Sequence, residues 1–253
     1  MEAIDLALLE AECISICQEM IRIPSVNHGE GVGDERAIAS YVAEKLNEVG
    51  IACELIVTGE NRVNVVAKIE GADTSRPGLV VHGHLDVVPA NADDWSVDPF
   101  GGVIKDGYLW GRGAVDMKDM DAMIIATVRA WKRANYKPPR NILLVFFADE
   151  EAGSEYGSRY LVKNRPEIFK GYTEAISEVG GFSVTITGGH RLYFIEGAQK
   201  GINWLQLKAK GEAGHGSFIN PKNAVTKLAA AVARIGSYEW PQVETKTGAK
   251  FWS

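Results

Sequence analysis

Apolar and polar residues follow two kinds of period along this chain, and the elements they predict alternate. Helical spacing predicts helices over residues 3–21, 34–49, 118–134, 157–163 and 223–235. Short apolar runs predict strands over residues 51–57, 63–69, 79–84, 141–148 and 175–177, with a short strand pair within 103–110. Strands that alternate with helices favour an α/β fold, with a mostly parallel sheet covered by helices on both faces.

The pattern changes near residue 200, where we place a domain boundary. Residues 1–199 would form the domain that carries the chemistry, and residues 200–253 would begin a second, α+β domain. Residues 202–210 alternate imperfectly and are interpreted as a strand, followed by the helix over 223–235. One strand and one helix are too little for an independent core, so we expect that the chain is truncated and that parts of both domains lie beyond it.

Composition narrows the classes of partner. The chain has 253 residues, 46% of them hydrophobic, and 27 Lys and Arg against 33 Asp and Glu, a net charge of −6. An acidic chain is a poor phosphate-backbone binder, so nucleic acid is not an expected partner. No apolar stretch approaches the roughly 20 residues of a membrane span, and the amino terminus is acidic where a signal peptide would be basic. With three cysteines and no CxxC spacing, we expect a soluble cytoplasmic protein with reduced thiols and no membrane partner.

Charged residues follow several of the predicted strands, at the point where each strand ends. They are His84, Asp86, Glu150, Glu151 and Glu178. In open α/β sheets the carboxyl ends of the strands form the edge at which ligands bind, so we expect these side chains to lie together. His84 and Asp86 are two residues apart and would point the same way. A carboxylate beside a metal-binding imidazole fixes its tautomer, which gives Asp86 an orienting role.

Imidazole and carboxylate groups without a thiolate cluster suit an open zinc site. Asp116, in the glycine-rich turn GRGAVD, is the natural bridge between two ions roughly 3.5–4 Å apart. Glu150 and Glu151 are neighbours leaving a strand and would point in opposite directions, so one can bind metal while the other acts as a general base. The alternative for this pair is a solvated acidic turn, which we would favour if the pair stood alone.

Four motifs together carry a family resemblance: HGHLDVVP at 82–89, GRGAVDMKDM at 111–120, ADEEAGS at 148–154 and AGHGS at 213–217. They resemble the aminoacylase, carboxypeptidase and succinyl-diaminopimelate desuccinylase family of co-catalytic zinc hydrolases. The resemblance implies a zinc-exopeptidase-like catalytic domain and a lid domain that forms a homodimer interface. It implies an enzyme that uses two zinc ions, with cobalt or manganese as substitutes, and metal-activated water to cleave an N-acyl amino acid or a short peptide.

The resemblance also implies a role for each site residue. The implied metal ligands are His84, Asp116, Glu151 and Glu178, with Asp116 as the bridge and Glu151 on the second metal. Asp86 would orient His84, and Glu150 would be the general base. His215 matches a lid histidine that, in this family, reaches a neighbouring subunit's active site and stabilises the oxyanion of the bound substrate.

One departure from the family keeps an alternative open. In this family the second metal takes a further histidine near the carboxyl terminus, and none of His28, His82, His84, His190 and His215 occupies that position. We therefore expect weak binding of the second metal. The alternative function is a truncated, non-catalytic fragment that binds at most one metal and associates with another chain.

Other interpretations are weaker. A nucleotide site suggested by GRG at 111–113 lacks the G-x-G-x-x-G or P-loop pattern after a strand. The sequence EVGGF around Glu178 is closer to the aminoacylase and carboxypeptidase branch than to the desuccinylases. Acetylated amino acids, succinylated amino acids and dipeptides all remain candidate substrates.

Overall fold

The computed structural model describes residues 3–178, 183–194, 198, 201, 203 and 205–252. Its helices are α1 (Leu6–Ile21), α2 (Arg36–Asn47), α3 (Lys118–Arg133), α4 (Ser158–Asn164), α5 (Ala224–Gly236) and α6 (Lys246–Trp252). Its strands are β1 (Cys53–Gly59), β2 (Arg62–Ile69), β3 (Gly78–His84), β4 (Val103–Lys105), β5 (Tyr108–Trp110), β6 (Ile142–Phe147), β7 (Tyr172–Ile176), β8 (Ser183–Thr185) and β9 (Arg191–Tyr193). The alternation of strands and helices confirms the predicted α/β class.

The main sheet has five strands in the order β1-β2-β6-β3-β7. Strand β3 pairs in parallel with β6 and β7, whereas β2 is antiparallel to β1 and β6. Four of the five strands therefore point the same way, and β2 alone is reversed. The reversal follows from the short connection at residues 60–61, since a two-residue loop joins antiparallel neighbours.

Strand β6 lies at the centre of the sheet and is buried on both faces. On one face Leu144 and Phe146 pack in a core cluster with apolar side chains of α1, α2 and α3. On the other face Val145 and Phe147 pack with Leu161 of α4. This double burial explains why the sequence of β6 is a continuous apolar run.

The register of β3 and β6 determines where the charged residues emerge. His84, the last residue of β3, pairs in parallel with Phe147, the last residue of β6. Leu85 then donates its backbone N–H to the Phe147 carbonyl at 2.8 Å. The segments that follow the two strands therefore leave the sheet side by side, at its carboxyl edge.

The chain divides into two compact units, Met1–Glu178 and Val179–Ser253. The second contains the β8–β9 hairpin and α5, whose amino terminus is capped by the Asn223 side chain. Residues 205–210 form no strand, so the predicted strand over 202–210 is wrong there, and residues 202 and 204 lie outside the described residues. The boundary proposed near residue 200 stays a prediction. Among the described helices, none combines the length and apolar character needed to cross a bilayer.

The central position of β6 leads to a stability prediction. Phe146 is fully buried, and truncation to alanine leaves a cavity between the sheet and the helices. We expect Phe146→Ala to lower the free energy of unfolding by about 3–5 kcal/mol, measured by urea denaturation. The matched control is Leu55→Ala on edge strand β1, where the side chain is exposed and the expected change is within about 0.5 kcal/mol. Equal losses in both variants would contradict the central role of β6.

Candidate metal centre

His84 is held in one orientation at the end of β3. Its side chain is 2% exposed, and its Nδ1 lies 2.9 Å from the backbone carbonyl oxygen of Asp86. Because a carbonyl only accepts, Nδ1 carries a hydrogen, and the neutral form of this imidazole has its lone pair on Nε2, which faces the site. This is the tautomer that an imidazole needs to bind a metal through Nε2.

The carboxylate of Asp86 has a different set of partners from the one that sequence spacing suggested. Its Oδ1 lies 3.6 Å from the His84 Nδ1, farther than the backbone carbonyl oxygen of Asp86 at 2.9 Å. Its two oxygens instead accept the backbone N–H groups of Glu150, at 3.0 Å, and Glu151, at 3.1 Å. Burial alone would raise the pKa of Asp86, but the nearby His84 imidazole and the hydrogen bonds from Asn27 and Glu150 lower it. Asp86 therefore stays charged and joins the end of β3 to the end of β6.

Three of the predicted ligands come together around the His84 Nε2. Potential ligand atoms of His84, Asp116 and Glu178 all lie within 4.8 Å of one another. The Nε2 atom is 3.0 Å from Asp116 Oδ1 and 3.7 Å from Glu178 Oε2. One imidazole and two carboxylates are a donor set that suits zinc or a similar divalent ion.

The electrostatics of this group favour a positive charge at its centre. Burial would lower the pKa of His84, but the neighbouring carboxylates of Asp116, Asp86 and Glu178 outweigh it and raise the pKa. The same contact with His84 lowers the pKa of Asp116. A positive charge among several carboxylates, whether an imidazolium or a divalent cation, reduces the repulsion between them. The residues present therefore fit a bound metal ion.

Glu150 and Glu151 follow β6 and flank the cluster. Glu150 Oε2 lies 3.8 Å from the His84 Nε2, and burial raises the pKa of Glu150. Burial, followed by the negative charge of Asp116, raises the pKa of Glu151 to about 7. Among the described residues, the group of close ligand atoms does not include Glu151. A carboxyl group with a raised pKa is suited to accept a proton near neutral pH.

The turn that carries Asp116 is anchored on both sides. The Met117 sulfur accepts the backbone N–H of His84 at 3.2 Å, and the buried Lys118 donates to the carbonyl oxygens of Met20 and Ile23, each at 3.0 Å. Burial lowers the pKa of Lys118 to about 8. These contacts hold the Asp116 backbone against β3 and the end of α1.

Sequence analysis missed a buried polar network beneath the site. Its members are Asn27, Glu35, Arg62 and Asp149, all of them buried. Asn27 bonds to both Asp86 and Asp149, and Arg62 bonds to Asn27 and Glu35. A single sequence offers no signal for this network, because polar residues in loops and next to strand ends are usually solvated.

Among the described residues, the group of close ligand atoms includes none of the other histidines. His82 is half-buried with its ring 5.4 Å from that of Phe147, and burial lowers the pKa of His82. His28 and His190 are exposed. His215 belongs to the second unit, where its Nδ1 lies 2.8 Å from Ser217 Oγ, and its oxyanion role stays a prediction.

Solved structures share the fold. Human carnosine dipeptidase 1 superposes with a TM-score of 0.59 at 24% identity, over 68% of this chain and 39% of that one. The dipeptidase Dug1p of Saccharomyces cerevisiae superposes with a TM-score of 0.56 at 26% identity, over 69% of this chain and 40% of that one.

Sequence comparison finds a metallohydrolase and an aminoacylase among the relatives of this chain. An uncharacterised metallohydrolase of Methanocaldococcus jannaschii is 35% identical over 85% of this chain and 53% of its own length. Aminoacylase-1 of Sus scrofa is 29% identical over 89% of this chain and 54% of its own length. The chain therefore spans about half the length of the curated relatives it matches.

The profile of peptidase family M20/M25/M40 matches residues 80–251, a stretch that contains every motif behind the resemblance. The match confirms that resemblance. The fold, the relatives and the profile agree, and this chain belongs to peptidase family M20/M25/M40.

Proposed function

We propose that this protein is a metal-dependent amide hydrolase that cleaves an N-acyl amino acid or a short peptide. The observation that carries this proposal is the placement of three carboxylates within 3.8 Å of the His84 Nε2, from Asp116, Glu178 and Glu150. They lie at the carboxyl edge of the sheet, where α/β folds bind ligands. The names of the relatives, metallohydrolase and aminoacylase, support the same reaction class.

The donor set supports a division of ligands between two ions. His84, Asp116 and Glu178 would hold the first, and Asp116 and Glu151 the second. Zinc suits these donors, with cobalt or manganese as substitutes. When bound, such ions polarise the substrate carbonyl and lower the pKa of water.

The chain's own residues supply the proton transfers. Glu150 would accept a proton from the attacking water at Oε2 and pass it to the leaving amine, as a general base and then a general acid. Its raised pKa, caused by burial, matches this task. Asp86 acts indirectly, by positioning other residues. Its carboxylate fixes the backbone of Glu150 and Glu151, and its carbonyl oxygen accepts a hydrogen bond from His84.

The lid contribution is part of the same proposal. His215 would stabilise the oxyanion in a neighbouring subunit of a homodimer in the cytoplasm, and the exposure of its imidazole supports this role. A donor aimed at the developing charge lowers the activation barrier by about 3–4 kcal/mol.

A second candidate function is a non-catalytic chain that binds one metal and associates with another chain. The observation in its favour is that the close group of ligand atoms among the described residues contains His84, Asp116 and Glu178 but not Glu151. The two functions differ in metal content and turnover. Two ions per chain with hydrolysis of N-acyl amino acids or dipeptides support the enzyme, and one ion without hydrolysis supports the alternative.

The division of ligands leads to a metal-binding prediction. Because Asp116 is proposed to bind both ions, we expect Asp116→Ala to lose both, whereas Glu151→Ala keeps about one ion per chain. Metal content after dialysis against zinc is the measurement. Glu10→Ala, an exposed carboxylate of α1, is the control and should match the unmodified protein. Equal losses in Asp116→Ala and Glu151→Ala would count against this division.

The proton-transfer role leads to a kinetic prediction. Glu150→Gln removes the base but keeps the size of the side chain, so we expect metal content and KM to stay unchanged. The expected loss in kcat is on the order of 100-fold or more. Substantial turnover in the metal-loaded variant would sink the assignment of Glu150.

A further inference from the structure

We propose that Asn27 is the positioning residue that holds the backbone of the segment 149–156, and so places Glu150 and Glu151 at the metal centre. The inference rests on the proposed function for the roles of the two glutamates. The positioning itself rests on hydrogen bonds between described residues, and it involves the backbone N–H, not the side chain, of the proposed ligand Glu151.

Every hydrogen-bonding position of the Asn27 amide is used. Its Nδ2 donates to Asp86 Oδ2 at 2.7 Å and to Asp149 Oδ1 at 3.0 Å. Its Oδ1 accepts from Arg62 Nη2 at 3.1 Å and from the backbone N–H of Gly29 at 3.0 Å. An amide with two donors and two acceptor sites is fully satisfied by this arrangement, and the residue is 3% exposed.

The two carboxylates that Asn27 joins hold opposite ends of the segment. Asp86 accepts the backbone N–H groups of Glu150 and Glu151, and Asp149 Oδ2 accepts that of Tyr156 at 3.1 Å. Two buried carboxylates repel each other unless hydrogen-bond donors or positive charge stand between them. The Asn27 NH2 group provides the donors.

The buried guanidinium of Arg62 supplies positive charge to the same network. Arg62 Nη2 lies 3.6 Å from Asp149 Oδ1, and the guanidinium also forms an ion pair with Glu35. Arg62 is 1% exposed, so its charge acts with little screening by water. Asn27 therefore connects a buried cation to both carboxylates.

The backbone at Asp149 requires such support. Its φ is +60°, in the left-handed region that non-glycine residues adopt at a cost. The Asp149 side chain is fixed by Asn27 at one oxygen and by the Tyr156 backbone at the other. These contacts hold the turn that directs Glu150 toward the His84 Nε2.

Amide hydrogen exchange tests the positioning without reference to catalysis. Asn27→Asp keeps the shape of the side chain but removes both donors and adds a third carboxylate. Asn27→Ser adds no charge and keeps one donor. We expect the amide N–H groups of Glu150, Glu151 and Tyr156 to exchange about tenfold faster or more in Asn27→Asp, and less so in Asn27→Ser, while β6 stays protected.

The matched control is Asn141→Asp, the same chemical change just before the start of β6. The Asn141 side chain accepts the backbone N–H of Gly71 at 3.0 Å, and an aspartate can accept it equally well. Exchange at Glu150 and Glu151 should be unchanged in this variant. Unchanged exchange in both Asn27 variants would overturn the proposal, and so would loss of folding in both, since the amide would then maintain the whole fold.

Steady-state kinetics on the metal-loaded protein completes the test. We expect Asn27→Asp to lower kcat by roughly 10–100-fold with little change in KM. Faster exchange with unchanged kcat would confirm the positioning and contradict the catalytic roles of the glutamates, so failure of the proposed function is distinguishable. Slower turnover with unchanged exchange would overturn the positioning role.

Discussion

The structure of the site depends on the need to satisfy one buried carboxylate. Asp86 is fully buried after β3, and it meets this need with the backbone N–H groups of Glu150 and Glu151 and the amide of Asn27. A charged group without such partners would cost several kcal/mol inside a protein. The carboxylate therefore joins two chain segments about 60 residues apart and fixes the backbone beside the metal centre.

The parallel pairing of β3 with β6 makes this contact geometrically available. Their last residues, His84 and Phe147, are partners in register, so the segments beyond them start as neighbours. The apolar faces of β6 keep the register fixed, because a shift by one residue would exchange the side chains that pack in the two core clusters. Core packing thus determines which polar groups meet at the carboxyl edge.

Sequence pattern predicted much of this arrangement, for physical reasons that also explain its failures. Apolar runs of the right length indicated β3 and β6, and the charged residues after them marked the site. Local spacing suggested that the Asp86 carboxylate contacts His84, whereas the carbonyl oxygen of Asp86 makes the close contact. The roles of Asn27 and Arg62 depend on partners distant in sequence, which no local pattern reveals. The imperfect alternation over 202–210 was interpreted as a strand, and the described residues 205–210 form none.

The central claim is that His84, Asp116 and Glu178 bind a metal ion together. Anomalous diffraction at the zinc absorption edge, on crystals of the zinc-loaded protein, tests it most directly. We expect an anomalous peak about 2.0–2.2 Å from His84 Nε2 and from oxygens of Asp116 and Glu178. A peak held by other residues, or zinc-loaded crystals with no peak at these three side chains, would contradict it.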